Sequence, residues 1–186
     1  AAFAETGVAR FFPDVLTGRE AIEKGVQGLF TDIPDFKFAF ARTLTKGPMV
    51  VATWVWTGTD AKTKRPVGIE GAGVLVYGDD GLIKELRAYQ NDATVAAQND
   101  PKAKAGTFRA VPAMPASTDA VVSKDTAAED ALVAAIAPMY AALDNKKEAD
   151  ALAFFTDDSI LDDYSEPASA KGKKDSKAMF DSYVKT

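Results

Sequence analysis

The stretch from Pro48 to Gln98 constrains the fold more than any other part of this chain. It reads PMVVATWVWTGTD, a polar break, RPVGIEGAGVLVYGDDGLIKELRAYQND and then ATVAAQ. Two long β-type runs are followed by Gly78-Asp79-Asp80-Gly81, a tight-turn signal, and by a third run ending in a polar cluster. Alternation places Trp54 and Trp56 on one face of the first run, and Arg87, Tyr89 and Asn91 on one face of the last. An antiparallel sheet with an aromatic and polar concave face is one way to build a pocket for a small organic molecule.

The residues before this run add a strand from Val8 to Phe12, ended by Pro13-Asp14. Thr17 with Glu20 reads as a capping box opening a helix over roughly 18–30, which Ile33-Pro34-Asp35 stops. Phe36, Phe38 and Phe40 alternate with Lys37, Ala39 and Ala41 as a half-buried strand, and Lys46-Gly47-Pro48 turns the chain into the opening run. The result is a four-stranded antiparallel meander after one helix. Gly78–Gly81 is a turn and not a phosphate loop, because neither a helix nor a Lys follows as such a loop needs.

Residues 100–126 carry three prolines (Pro101, Pro112, Pro115) and no long periodicity, as expected of a linker of polyproline II character crossing a domain surface. Beyond it, Leu132, Ile136, Met139, Tyr140 and Leu143 mark an amphipathic helix, with a kink or break expected at Pro138. A short helix near 148–155 and a strand near 159–164 follow. The end of the chain also echoes its beginning: Phe3 falls over Phe155, Val8 over Ile160 and Phe12 over Tyr164, and a two-residue insertion brings Gly18 over Gly172. Residues 1–99 then form a domain without N-terminal helices, 100–126 a Pro/Ala-rich linker, and 127–186 the opening portion of a second copy. A sheet without covering helices exposes an apolar face, so the helices of 127–155 are expected to cover the first sheet, in cis or by exchange with another chain.

Composition narrows the chemistry. The chain has 186 residues, 47% of them hydrophobic, with neither His nor Cys. Ser-His-Asp and Cys-His nucleophiles, His or Cys zinc sites and thiol redox chemistry are thereby excluded. Acid–base work falls to Asp, Glu, Tyr or Lys. Asp157, Asp158, Asp162 and Asp163 lack the alternate spacing of a calcium loop, so no metal is expected. A net charge of -5 and the lack of a basic stripe disfavour nucleic acid. No apolar run approaches the ~20 residues that span a bilayer. The absence of Cys leaves reducing and oxidising compartments equally open. The chain starts at Ala1 without Met, which admits a targeting segment removed upstream.

GREAI, IPDFK, VVATWVWTGTD, IEGAGVLVY and GLIKELRAYQNDATVAAQ together resemble the SnoaL-like polyketide cyclase and ketosteroid isomerase-related proteins of the nuclear transport factor 2-like superfamily. The resemblance covers about residues 3–98 and, more weakly, 128–186. It implies an α+β, cone-shaped fold, with helices on a curved antiparallel sheet around a pocket, here circularly permuted or helix-swapped. It also implies dimerisation through the outer sheet face, and proton transfer on ring compounds without metal or organic cofactor. In ketosteroid isomerase an Asp is the base, while a Tyr and a protonated Asp hold the oxyanion.

Carried over by position, Asn91 stands where the family usually has Asp, and Asp92 is displaced by one, which in a regular strand turns it to the other face from Tyr89. Tyr89, Asp92 and Glu70 are the catalytic candidates. Trp54, Trp56, Tyr77, Arg87 and Asn91 are the ligand-binding candidates. Each has a structural counterpart reading. Tyr89 is a ligand hydrogen-bond donor or a half-buried strand tyrosine; Glu70 is an acid–base group or an ion-pair partner of Arg87; Asp92 is a base or a helix cap. The tryptophans line a pocket, a dimer face or the core. The chain therefore reads as a binder of a small, largely apolar organic molecule with cofactor-free isomerase or cyclase chemistry, or as a non-catalytic binding or oligomerisation module of the same fold.

Overall fold

The computed structural model describes residues 2–11 and 13–184, the side chains of residues 182–184 excepted. It divides into two compact units, Ala1–Ser123 and Lys124–Thr186.

The first unit is built on a seven-stranded mixed sheet, large, curved and unclosed. Its strands are β1 (Phe3–Phe11), β2 (Asp14–Thr17), β3 (Lys37–Lys46), β4 (Met49–Thr59), β5 (Pro66–Tyr77), β6 (Ile83–Tyr89) and β7 (Asp119–Val122). Helix α1 (Arg19–Asp32) follows β2, and α2 (Asp92–Asn99) follows β6. The strand order is β2-β1-β6-β5-β4-β3-β7, and β3 to β6 form the expected antiparallel meander. Two of its three turns fall where glycine permits positive φ: Gly47 at 55° between β3 and β4, Gly81 at 73° between β5 and β6.

Three features depart from the sequence expectations. The first strand begins earlier and lies parallel to β6, with β2 as its hairpin partner at the sheet edge; its expected end at Phe12 lies outside the described residues. Thr17 does not cap α1, because it is the last residue of β2, paired with Val8. The helix starts from Gly18 at φ 85°, without a side-chain cap, and Gly18 N–H donates instead to the Gly7 carbonyl at 2.8 Å. Third, the end of the Pro-rich segment is a strand: β7 lies parallel to β3, tied by an Arg42–Asp119 ion pair at 2.8 Å and by Thr118 Oγ1 donating to the Phe40 carbonyl.

Strand parity then sorts the side chains. Trp54 and Trp56 pair with Gly71 and Ile69 on β5 and with Phe40 and Phe38 on β3, so these residues share one face. Leu29 and Ile33 at the end of α1 and Val95 of α2 pack on that face, which makes it the core side. Each fully buried side chain of this size contributes about 1.5–3 kcal/mol. A β-bulge at Ala41 inserts one residue between the Phe40–Trp54 and Arg42–Thr53 pairs. Even-numbered residues of β3 therefore face inward up to Phe40 and outward from Arg42 onward.

The second unit contains α3 (Ala127–Asp144), α4 (Glu148–Leu152), β8 (Ile160–Leu161), β9 (Ala170–Lys171) and α5 (Gly172–Val184). A capping box of Thr126 and Glu129 starts α3, which runs unbroken through Pro138. Of the kink or break expected there, the break does not occur; proline there removes one ladder hydrogen bond without ending the helix. Its C-terminal half packs Met139, Ala142 and Leu143 against Leu152 of α4 and Phe180 of α5, while Leu132, Val133, Ile136 and Tyr140 are exposed. Lys177 of α5 pairs with Glu148 of α4 at 2.7 Å.

The β8–β9–α5 segment repeats the local geometry of β1–β2–α1. Val8 pairs with Thr17 and Ile160 with Lys171; the next residues, Gly18 and Gly172, have φ of 85° and 71°. Gly18 N–H donates to Gly7 at 2.8 Å and Gly172 N–H to Ser159 at 2.7 Å. Four residues into each helix, Ile22 and Ser176 are fully buried. The expected Phe12–Tyr164 correspondence lies outside the described residues.

Candidate functional site

The inner face of the first sheet is an aromatic layer. Phe36 packs on Trp56 with ring centroids 5.6 Å apart, Phe38 on Trp54 at 5.7 Å, and Phe38 edge-on to Phe40 at 5.1 Å. Trp54 and Trp56 are only 6% and 8% exposed, whereas Phe38 is 45% exposed. The buried tryptophans form the bed of this layer and Phe38 its accessible surface. The Trp54 indole lies across β5 where the strand has no side chains: a Cβ on Gly71 would stand 2.3 Å from the indole, and one on Gly73 3.5 Å from its Nε1. Tyr77, half-buried at the end of β5, shares this parity, and its N–H donates to the Pro48 carbonyl at 2.9 Å.

The other candidates on strands face the opposite way. Tyr89 pairs with Ala72 and Arg87 with Val74, and both alternate with the buried Ala88, which lies with Trp54 in the core. Tyr89 is accordingly 46% exposed on the outer face. Glu70 pairs with Val55 on that face too. The expected Glu70–Arg87 pair does not form. Arg109 of the Pro-rich segment takes Glu70 at 3.3 Å, and Arg87 Nε bonds Glu85 at 2.9 Å, because Glu85 stands two residues away on the same side of β6. Arg10 reaches the same Glu85 oxygen at 3.2 Å. Hydrogen bonds from Arg87, then Arg10, hold the Glu85 carboxyl below the usual glutamate range, and Glu85 raises Arg87 in return.

Asn91 and Asp92 leave the strand. Asn91 is the N-cap of α2, its side-chain oxygen accepting from Ala93 N–H at 3.1 Å. The cap expected of Asp92 thus falls to its neighbour, since the strand ends one residue earlier than a cap at Asp92 requires. Asp92 lies in the first turn and accepts from Gln90 Nε2 at 2.5 Å. One turn on, Val95 packs against the core cluster, whereas Asp92 itself is exposed.

Of the eight candidates, the structure brings Trp54, Trp56 and Tyr77 to the inner side, leaves Tyr89, Arg87 and Glu70 outside, and sets Asn91 and Asp92 at the start of α2. Sequence reasoning did not single out Phe38, although its alternation with Phe36 and Phe40 was visible. It also passed over Gln98, which is buried and makes three hydrogen bonds: Oε1 accepts from Gly68 N–H at 2.9 Å, and Nε2 donates to the carbonyls of Gly68 at 2.8 Å and Arg109 at 3.1 Å. Asp35, in the segment that stops α1, accepts from Thr59 N–H at 2.6 Å and Thr59 Oγ1 at 2.9 Å, locking the start of β3 to the end of β4. Those bonds hold its carboxyl below the usual aspartate range.

Residues 1–86 match the family model described as SnoaL-like domain. Over these residues the first unit is similar to SnoaL-like domains. Among solved structures, this chain is similar to a protein described as a SnoaL-like polyketide cyclase from Jannaschia sp., at 15% identity and a TM-score of 0.50, over 54% of this chain and 74% of that one. It is similar also to a protein with a ketosteroid isomerase-like fold from Catenulispora acidiphila, solved with trimethylamine, at 21% identity and a TM-score of 0.49, over 53% and 76%. A nuclear transport factor 2-like protein of unknown function from Exiguobacterium matches at 20% identity and a TM-score of 0.44, over 49% and 78%. At such identities the likeness speaks to fold alone. A search of curated proteins found no match to this chain. The matched residues span β1 through most of β6, and the aromatic layer lies within them.

Proposed function

We propose that the SnoaL-like unit binds a small, largely apolar ring compound against the Phe38 surface of its inner face. The observation that carries this reading is an accessible phenylalanine backed by two buried tryptophans. A flat ring gains offset-stacked or edge-to-face contact there, worth about 0.5–1.5 kcal/mol beyond area burial. Where proton transfer accompanies binding, it is cofactor-free and falls to Asp92, on the helix whose Val95 packs on this face. Tyr89 and Glu70 would have to act through the sheet. Titration with a neutral steroid, followed by tryptophan fluorescence, tests the reading, because both tryptophans of the chain lie in this layer. Phe38→Ala should weaken binding several-fold and Tyr89→Phe should leave it unchanged. The opposite pattern would move the site to the outer face.

The repeated hairpin–glycine–helix geometry supports a related proposal, that the second unit is the opening of another copy of the domain. Gly18→Ala and Gly172→Ala should then both destabilise their own unit. Each loses about 1–2 kcal/mol for placing Cβ at positive φ, and Gly172 loses more because its Cβ would lie 2.6 Å from the Asp157 carbonyl. Tolerance of alanine at either position would break the equivalence.

A further inference from the structure

We propose that a second, separate site, a cleft of about 350 Å³ lined by Lys64, Arg65, Pro66, Gln98, Phe108 and Val111, binds a small organic carboxylate with an apolar body. The cleft lies where the β4–β5 loop, the end of α2 and the Pro-rich segment meet, and neither Phe38 nor Tyr89 lines it.

Its walls are fixed before any ligand arrives. On one side, the Asp60 carboxylate accepts from the N–H groups of Lys62 at 3.0 Å and Thr63 at 2.6 Å, from Thr63 Oγ1 at 2.9 Å and from Asn99 Nδ2 at 3.2 Å. Lys64 N–H donates to the Asp60 carbonyl at 2.9 Å, and Asp60 N–H to the Arg65 carbonyl at 3.0 Å. This web holds Lys64 in the left-handed region, φ 58°, which a lysine adopts only when its surroundings impose it. Gln98 forms the buried floor, gripping Gly68 of β5 with one amide. It grips the opposite wall as well, through the Arg109 carbonyl, while the Arg109 side chain is anchored on Glu70. Phe108 thereby adjoins a neighbour, Arg109, that is tethered through both its carbonyl and its side chain.

The charge balance points to the ligand. Two cations line the cleft and no carboxylate does. Arg65 Nε donates to the neutral Gln98 carbonyl at 2.8 Å, and among the described residues neither Lys64 nor Arg65 has an acidic partner. The loop's own acid, Asp60, is engaged by four donors, with Thr63 foremost in holding its carboxyl below the usual aspartate range. An arginine fork beside an ammonium fits a carboxylate, and Pro66, Phe108 and Val111 supply an apolar wall for the rest of the molecule. The volume suits a ligand of one or two rings, at the small end of the ~300–1,000 Å³ typical of such sites.

Calorimetric titration of the whole chain with naphthalene-2-carboxylate, and with the uncharged naphthalene-2-methanol, tests this. The carboxylate should bind at least about 10-fold more tightly than the alcohol. Arg65→Gln and Lys64→Gln should each weaken the carboxylate about 5- to 10-fold while sparing the alcohol; Phe108→Ala should weaken both. Lys62→Gln, on the same loop but outside the cleft, should change nothing. Circular dichroism confirms that each variant is folded. Equal affinity for the two probes, no binding of either at millimolar concentration, or unaltered carboxylate binding in folded Arg65→Gln would each overturn the proposal. A neutral steroid should not compete with naphthalene-2-carboxylate, so failure of the inner-face site and failure of this one read out separately.

Discussion

Replacing Gly71 by alanine tests the aromatic layer at its tightest point. Alanine in a strand ordinarily gains about 0.5–1 kcal/mol over glycine, because the unfolded chain loses freedom. Here the new Cβ would stand 2.3 Å from two atoms of the Trp54 benzo ring and 2.8 Å from a third. Ordinary carbon contact is about 3.5–4.0 Å, so the indole must move by roughly 1.2 Å or more. With Trp54 6% exposed and wedged between Phe38, Phe40 and β5, that motion disturbs the whole layer. Overpacking of this kind costs about 1–3 kcal/mol, which exceeds the backbone gain. A net loss of about 1–2 kcal/mol is expected. Urea unfolding followed by tryptophan fluorescence reads the first unit alone, since the chain's two tryptophans are Trp54 and Trp56. Phenylalanine lacks the benzo-ring atoms that collide, so in the Trp54→Phe background Gly71→Ala should be neutral or stabilising, a coupling of about 1–3 kcal/mol between adjacent sites. An equal cost in both backgrounds would refute the idea that Trp54 lies across β5.

Other expectations follow from single contacts. Gln98→Leu leaves the Gly68 N–H and two carbonyls without partners in a buried setting, at about 1–3 kcal/mol for each group; the Gly68 amide should exchange with solvent markedly faster, and unchanged protection would remove Gln98 as the link between α2 and β5. Asp35 and Asp60 have lowered carboxyl pKa values, so their contribution is fully present above the ordinary aspartate pKa of about 3.9 and is lost as pH falls below it through the folded values. Acid unfolding of Asp35→Asn and Asp60→Asn should therefore be shallower than that of the parent below pH ~4, and parallel acid limbs would contradict the assignment. Glu85→Gln removes the anion shared by Arg10 and Arg87; on this exposed face the loss of stability should be small and shrink further in high salt.

Local signals carried much of the first unit. The Phe36–Phe40 and Trp54–Trp56 alternations, the Gly47 and Gly81 turns and the Pro34 stop are all short-range, and they recover the antiparallel meander and the end of α1. The candidate site was less legible. Parity within one strand is written in the sequence, but parity between strands depends on register. A single inserted residue at Ala41, and the pairing of Ala72 rather than Gly71 with Tyr89, decide which side chains share a face. Trp54 and Tyr89 could therefore be read as neighbours when they lie on opposite sides of the sheet.

By itself, the sequence determined the chemistry this chain has to hand and the strands and turns of its first unit. Without His or Cys, any proton transfer rests on carboxylates, tyrosine or lysine. Tertiary structure alone decided where those groups meet. It put Glu70 with Arg109, gave the cap at α2 to Asn91, drew residues 119–122 into the sheet beside β3, and gathered Lys64, Arg65 and Phe108 around Gln98. These partners lie between 33 and 77 residues apart along the chain where the bonds are long-range, as in Arg65–Gln98 and Arg42–Asp119. Contacts at such separations leave no periodic trace in the sequence, because they are set by register and loop closure and not by the local preferences of the backbone.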